Sequence, residues 1–286
     1  MKKFAHVLSG TLLALTLASC ATVTPTTTAP KFVIDDTTYH ATGQNERIQF
    51  IVLHYTAGND ADSLDILTNG NVSAHYLIPK NNGDKIYQLV LDDKRAWHAG
   101  NGSFAGRSVL NDTAIGIEIV NDGIAKDARA IKGYHPYAHF VEFDDLQIQK
   151  VAFLVKNLAE KYRIKPTQII AHSDLAPQRK IDPGAKFPWQ RLYFDYQIGA
   201  WYDAADKAAF MDFALFSQTP IAEIKALLRD YGYAINDTPE WDNASQNVVY
   251  AFQLHFRPQQ PTGQMDLETF AILKALDKKY TDRNSY

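Results

Sequence analysis

The chain has 286 residues, with 29 Lys plus Arg against 32 Asp plus Glu and 46% hydrophobic residues. That balance supports a folded core of about two domains and excludes a mostly disordered, collagen-like or cysteine-stapled chain. The formal net charge of −3 supplies no global attraction to nucleic acid, which is not expected as a partner.

Residues Met1–Cys20 read MKKFAHVLSGTLLALTLASC. Lys2 and Lys3 form a basic start, and the apolar run from Val7 to Leu17 suits an export signal but is short for a bilayer span of about 20 residues. Leu17-Ala18-Ser19-Cys20 resembles a bacterial lipoprotein box, which implies cleavage after residue 19 and acylation of Cys20, the only cysteine in the chain. Acyl chains at Cys20 imply attachment to a membrane surface, and Ala21 in place of Asp points to the outer membrane, with the folded part expected to face the periplasm. Residues 20–30 are rich in Thr and Pro, lack a packing period and are expected to form a tether.

The β-branched and aromatic run Arg47–Tyr55 predicts a buried strand, followed by candidate strands at Ser73–Ile78, Lys85–Val90, Ile115–Val120 and Gln168–His172. Between the last two, Asp144–Tyr162 reads as a helix: Leu146 or Gln147, Val151, Leu154, Val155, Leu158 and Tyr162 share a face, and Asp144 or Asp145 is placed to cap it. Strands interspersed with helices predict an α/β fold, a central mixed β-sheet flanked by helices. The stretch Asp122–Phe140 has no clear period and reads as a loop insertion, near a site or simply on the surface. Its His135 and His139 invite a metal reading, but no nearby third ligand completes one. Trp189–Phe216 carries many large rings and is expected to be a packed join. Helices at Ile221–Tyr231, Asn243–Phe256 and Asp266–Tyr280, separated by Gly and Pro breaks, predict a small C-terminal three-helix domain.

His54 ends IVLHY and precedes the small residues Thr56, Ala57 and Gly58, which sets its imidazole at the rim of a strand. Taken alone it reads as readily as a solvated or core histidine. His172 ends a second apolar run, IIAHSD, and Asp182 follows in KIDPG, where Pro183-Gly184 can turn the chain back. Two imidazoles and a carboxylate suit Zn²⁺ and leave a fourth tetrahedral position open. Glu118 is the polar member of the Ile-rich strand AIGIEIV. It either faces water or is a buried carboxylate that needs a partner, and beside a metal it can exchange a proton with water and a leaving amine.

Several segments together resemble the zinc-dependent N-acetylmuramoyl-L-alanine amidase family, which also includes peptidoglycan-recognition proteins. They are IVLHYTAG (51–58), VSAHYLIP (72–79), RAWHAG (95–100), AIGIEIVN (114–121), IIAHSDLAPQRKIDPG (169–184) and FPW (187–189). They stand in the family's order and cover most of residues 47–190. The resemblance implies one Zn²⁺ per chain on His54, His172 and Asp182, with Glu118 as catalytic acid/base and Lys180 stabilising the reacting carbonyl oxygen. Some relatives carry a tyrosine where this chain has Ala74, which leaves proton transfer with Glu118. His75 and His98 are not assigned to the metal: each either orients substrate or a ligand, or is a satisfied structural histidine. Trp97 and Asn71 are candidates to line the groove. VVYAFQLHFR (248–257) with TGQMDLETFAIL (262–273) resembles a peptidoglycan-binding domain, which adds wall affinity or packs against the enzyme.

The implied organisation is a signal peptide at 1–19, the tether at 20–30, a zinc amidase domain at 31–200, a packed helical connector at 201–218 and the peptidoglycan-binding-like domain at 219–286. The implied activity is hydrolysis of the amide between the lactyl group of N-acetylmuramic acid and L-alanine, in peptidoglycan or muropeptides. The alternative is a peptidoglycan-recognition lipoprotein with little hydrolysis, since a groove can outlive its chemistry. No obligate protein partner is inferred.

Overall fold

A computed structural model describes residues 32–281; the signal segment, Cys20 and the Thr/Pro tether lie outside the described residues. The described residues divide into two units, 32–44 and 45–281. In the first, the Asp35 carboxylate accepts from the Thr37 and Thr38 amides, at 3.0 Å each.

The second unit contains strands β1 (Phe50–Tyr55), β2 (Tyr76–Ile78), β3 (Tyr87–Gln88), β4 (Ser103–Phe104), β5 (Arg107–Ser108), β6 (Ala114–Ile119) and β7 (Ile169–Ala171). Its helices are α1 (Asp60–Asn69), α2 (Asp145–Tyr162), α3 (His172–Leu175), α4 (Trp189–Tyr196), α5 (Ala204–Ala209), α6 (Phe213–Gln218), α7 (Ile221–Tyr231), α8 (Asn243–Phe256) and α9 (Leu267–Tyr280). Five strands form one sheet in the order β3-β2-β6-β1-β7, and β4 and β5 form a separate hairpin. β1 runs parallel to both β6 and β7, β6 runs parallel to β2, and only β3 is antiparallel. The mixed α/β sheet read from the sequence is therefore present. β1 and β6 are nearly continuous apolar runs because both faces of the sheet are buried there.

The predicted strands are present, four of them shorter than read and β6 of the same length but starting one residue earlier. The largest correction concerns His172, which does not end a strand. β7 stops at Ala171, and His172 opens the single turn of α3. The cause is local: the Asp174 carboxylate accepts from the Ala171 amide at 2.8 Å, which draws the backbone out of the ladder and into a turn. Asp144 stands at the N-cap of α2, and its amide donates to the Gln147 side-chain oxygen at 3.3 Å. Gln147 faces inward, and Leu146 is 45% exposed.

The join between the sheet and the last helices is only partly packed. Trp189, Leu192, Ile198 and Trp201 are buried, whereas Phe194, Met211 and Phe213 face solvent. The helices α7, α8 and α9 occupy the predicted segments, with Asp242 and Asp266 capping the second and third. They do not close a core of their own. Ile51 and Ile117 of the sheet, Val155 of α2, Leu228 of α7, Phe252 of α8 and Phe270 of α9 belong to one continuous apolar cluster. The stretch Asp122–Phe140 also packs: Ile124, Ala128 and Phe140 meet Tyr250 and Leu254 of α8, and Tyr134 stacks on Tyr250 at 4.4 Å.

Candidate metal centre

His54 and Glu118 are partners in the parallel register of β1 and β6, and His172 follows β7 on the other side of β1. All three therefore stand at the carboxyl ends of adjacent parallel strands, where an open α/β sheet leaves a crevice. Asp182 returns to the same point on the loop after α3, and its carbonyl accepts from the Ser173 amide at 3.0 Å.

The three expected ligands converge. His54 Nδ1 lies 2.9 Å from His172 Nδ1 and 3.1 Å from Asp182 Oδ2, and His172 Nδ1 lies 3.0 Å from that same oxygen. Two donors held by one tetrahedral Zn²⁺ at about 2.0–2.1 Å stand about 3.3 Å apart, so the spacing fits within a few tenths of an ångström. Protonation makes the same argument. His172 Nε2 donates to Ala99 O at 3.0 Å, which leaves Nδ1 of the neutral ring as a bare lone pair. The two Nδ1 atoms and Oδ2 then share at most one proton while both rings are neutral, whereas a divalent cation satisfies all three. Among the described residues this is the one group of three or more His, Cys, Asp or Glu able to hold a metal ion.

Burial and the neighbouring His172 push the His54 imidazole down to about 4, against the pull of Asp182. Burial opposes the Asp182 charge, but the two imidazoles facing it hold its carboxyl well below the usual range. The donor set is thus two imidazoles and one carboxylate, His54 neutral and Asp182 ionised. Glu118 lines the adjoining cavity of about 370 Å³ together with Lys180, His172 and Asp182. Its Oε2 has no hydrogen-bond partner among the described residues. Burial, followed by the charge of Asp182, raises its carboxyl to about 8, against the opposing charge of Lys180.

His98 Nδ1 sits 3.1 Å from His54 Nε2, so His98 contacts a ligand and stays out of the donor set. His75 is structural: its Nδ1 accepts from the Gly116 amide at 3.1 Å, and its Nε2 donates to Lys94 O at 3.2 Å. His135 and His139 approach each other, Nδ1 to Nδ1, at 3.1 Å, with no third ligand among the described residues. Trp97 lines the cavity at 53% exposure, with the Arg95 guanidinium 4.3 Å from its ring centre. Val72 and Ser73, not Asn71, form the neighbouring wall.

Arg179 was not singled out by sequence reasoning. Its Nε donates to Asn101 O at 2.8 Å and its Nη2 to Ala99 O, the carbonyl that also receives His172 Nε2. The segment HAGN at 98–101 is thereby tied to the ligand turn. The signals in the sequence were the blocks RAWHAG and IIAHSDLAPQRKIDPG, without a role for the backbone of the first or for Arg179 in the second.

The N-acetylmuramoyl-L-alanine amidase family matches residues 44–185, and a peptidoglycan binding domain matches residues 217–273. The chain is 40% identical to the N-acetylmuramoyl-L-alanine amidase AmiD of Escherichia coli over 294 residues, covering 98% of this chain and 99% of that protein. It is 38% identical to the 1,6-anhydro-N-acetylmuramyl-L-alanine amidase AmpD of Citrobacter freundii over 121 residues, 42% of this chain and 55% of that one. Among solved structures, AmpDh3 from Pseudomonas aeruginosa superposes with a TM-score of 0.79 at 39% identity, covering 88% of this chain and 100% of that one. The complex of Escherichia coli AmiD with anhydro-N-acetylmuramic acid-L-Ala-D-gamma-Glu-L-Lys superposes at 0.75 and 40% identity, covering 86% and 94%.

Proposed function

The chain belongs to the N-acetylmuramoyl-L-alanine amidase family, and from that premise we propose a zinc-dependent hydrolase whose metal ligands are His54, His172 and Asp182. The bond cut is the amide between the lactyl group of N-acetylmuramic acid and L-alanine, in peptidoglycan or muropeptides. The observation that carries the zinc reading is the meeting of two Nδ1 atoms and a carboxylate oxygen within 3.1 Å. A Zn²⁺ bound there would polarise the scissile carbonyl and lower the pKa of water.

The chain's own residues do the rest. Glu118, register partner of His54, takes the proton that the attacking water loses and returns it to the departing amine. Lys180 in the same cavity sets a positive charge toward the oxyanion that develops on the carbonyl. Trp97, held by Arg95, offers a flat apolar face to a sugar ring or peptide. No covalent enzyme intermediate is required.

The test is a defined muropeptide incubated with the mature chain, with and without chelator, the products read by mass spectrometry. We expect a free peptide beginning with L-alanine, lost on chelation and restored by Zn²⁺. Binding of the muropeptide without any cleavage would favour a recognition protein instead. The same reading includes export, acylation of Cys20 and residence at the outer membrane facing the periplasm. It rests on LASC at residues 17–20 and Ala21, and predicts that Cys20→Ala moves the protein from the membrane to the soluble fraction with its solution activity intact.

A further inference from the structure

The C-terminal helices reach the ligand turn through one carboxylate. Asp174 lies in α3, two residues after His172, and is 1% exposed. Its Oδ2 accepts from the Ala171 amide at 2.8 Å and from His255 Nδ1 at 2.7 Å, and its Oδ1 accepts from the Tyr233 hydroxyl at 2.7 Å. His255 belongs to α8, and Tyr233 follows α7. The His255 ring lies flat between Trp189 at 3.9 Å and Phe256 at 4.0 Å. Its Nε2 has no hydrogen-bond partner among the described residues. Among the described residues, the hydrogen bond to Asp174 is therefore the one this buried ring makes.

A four-residue turn cannot hold its own geometry, because a single hydrogen-bonded turn costs more order than it returns. Asp174 supplies what α3 lacks by fixing the amide immediately before His172. Its own orientation depends on two donors from outside the sheet domain. We propose that His255 and Tyr233 are positioning residues for the metal ligand His172, so that the C-terminal helices form part of the catalytic scaffold. The inference rests on the zinc reading above and adds a duty for the C-terminal region separate from wall binding. A buried carboxylate deprived of a donor is costly, and its relaxation would shift Ala171 and His172 together.

The test measures Zn²⁺ affinity of the full chain by competition with a chromogenic chelator, alongside kcat and KM on a soluble muropeptide. His255→Leu and Tyr233→Phe are expected to weaken Zn²⁺ binding about 10-fold and to lower kcat with KM unchanged. His255→Asn, which returns a donor close to the Nδ1 position, is expected to recover most of the affinity. Lys225→Met is the control for stability, since Lys225 lies in α7 and does not contact Asp174. Wild-type affinity in both His255→Leu and Tyr233→Phe would overturn the proposal, as would an equal loss in Lys225→Met at matched stability. Wild-type protein that takes up no Zn²⁺, or takes it up equally after Asp182→Ala, would overturn the metal reading itself, and that failure is visible before any other variant is compared.

Discussion

Glu118 stands one strand away from His54 at the same level of the sheet, and its proton affinity follows from that location. Burial and Asp182 bring its carboxyl to about 8 in the absence of a metal, so the acid form prevails at neutral pH. A base works only when deprotonated, and the rate must therefore fall as pH drops through this pKa. A divalent cation beside Asp182 offsets the negative charge that raises Glu118. The acidic limb of kcat/KM for zinc-loaded protein is accordingly expected below pH 8, and a limb at or above 8 would contradict the arrangement. Glu118→Gln is expected to lower kcat about 10²–10⁴-fold and to abolish that limb while leaving Zn²⁺ uptake in place. Gly116 carries a different constraint. A Cβ there would lie 2.3 Å from His98 Cγ, and His98 abuts His54. Gly116→Ala is thus expected to displace the His98 ring and weaken Zn²⁺ binding, as chelator competition would register; unchanged affinity would mean that His98 has no part in orienting His54.

Among the elements, those with complete local signals were legible in the sequence. α2, α8 and α9 each begin at an Asp cap, and their apolar faces repeat long enough to fix the period. α1 escaped because only Ser63 and Leu67 of its ten residues are buried, so it has no stripe to read. α3 escaped because four residues contain no period at all. The edge strands shrank because pairing, which depends on remote residues, decides where a ladder stops. One tie between elements gives a pH prediction. Asp92 accepts from Tyr76 and Tyr162 hydroxyls at 2.7 Å, from Gln88 at 3.0 Å and from Lys161 at 2.9 Å, joining the end of α2 to β2 and β3. Burial opposes its charge, but Lys161, Tyr76 and Tyr162 outweigh burial and lower its pKa. A carboxyl depressed in the folded state stabilises above its unfolded pKa of about 3.9 and loses that contribution as pH falls through the folded value. The Tm advantage of wild type over Asp92→Asn should be constant between about pH 5 and 7 and shrink below about pH 4. An advantage that persists undiminished to about pH 2 would show that packing, not ionisation, holds the corner.

At the scale of the molecule, the convergence of His54, His172, Asp182 and Glu118 was readable because they sit in three quoted segments, IVLHYTAG, AIGIEIVN and IIAHSDLAPQRKIDPG, which the sheet brings together. Of the supporting groups, His98 was named with its role left open, and Arg179 and Asp174 were not singled out. His98, Arg179 and Asp174 act through contacts with residues far away in sequence, such as His255, and no local pattern reports such pairings. The same holds for the boundary between the two family matches, 44–185 and 217–273, which suggests separable modules joined by a connector. The packing says otherwise, because Leu228, Phe252 and Phe270 share one cluster with Ile51 and Ile117. Lys225 adds a second tie within the C-terminal part. Its buried ammonium donates to Asn236 Oδ1, Thr238 O, Thr238 Oγ1 and Glu240 O at 2.8–2.9 Å. Lys225→Met strands those oxygens and is expected to cost about 2–4 kcal/mol. If the core is common property, that loss must reach the sheet as well as the helices. Denaturant unfolding of the mature chain should then follow one transition, coincident by far-ultraviolet circular dichroism and tryptophan fluorescence. Lys225→Met should move the whole curve to lower denaturant with its slope unchanged. An early partial transition in the variant, with the remainder unfolding at the wild-type midpoint, would instead mean that the helices melt independently of the sheet. His255 and Tyr233 would in that case have no stable footing from which to hold Asp174.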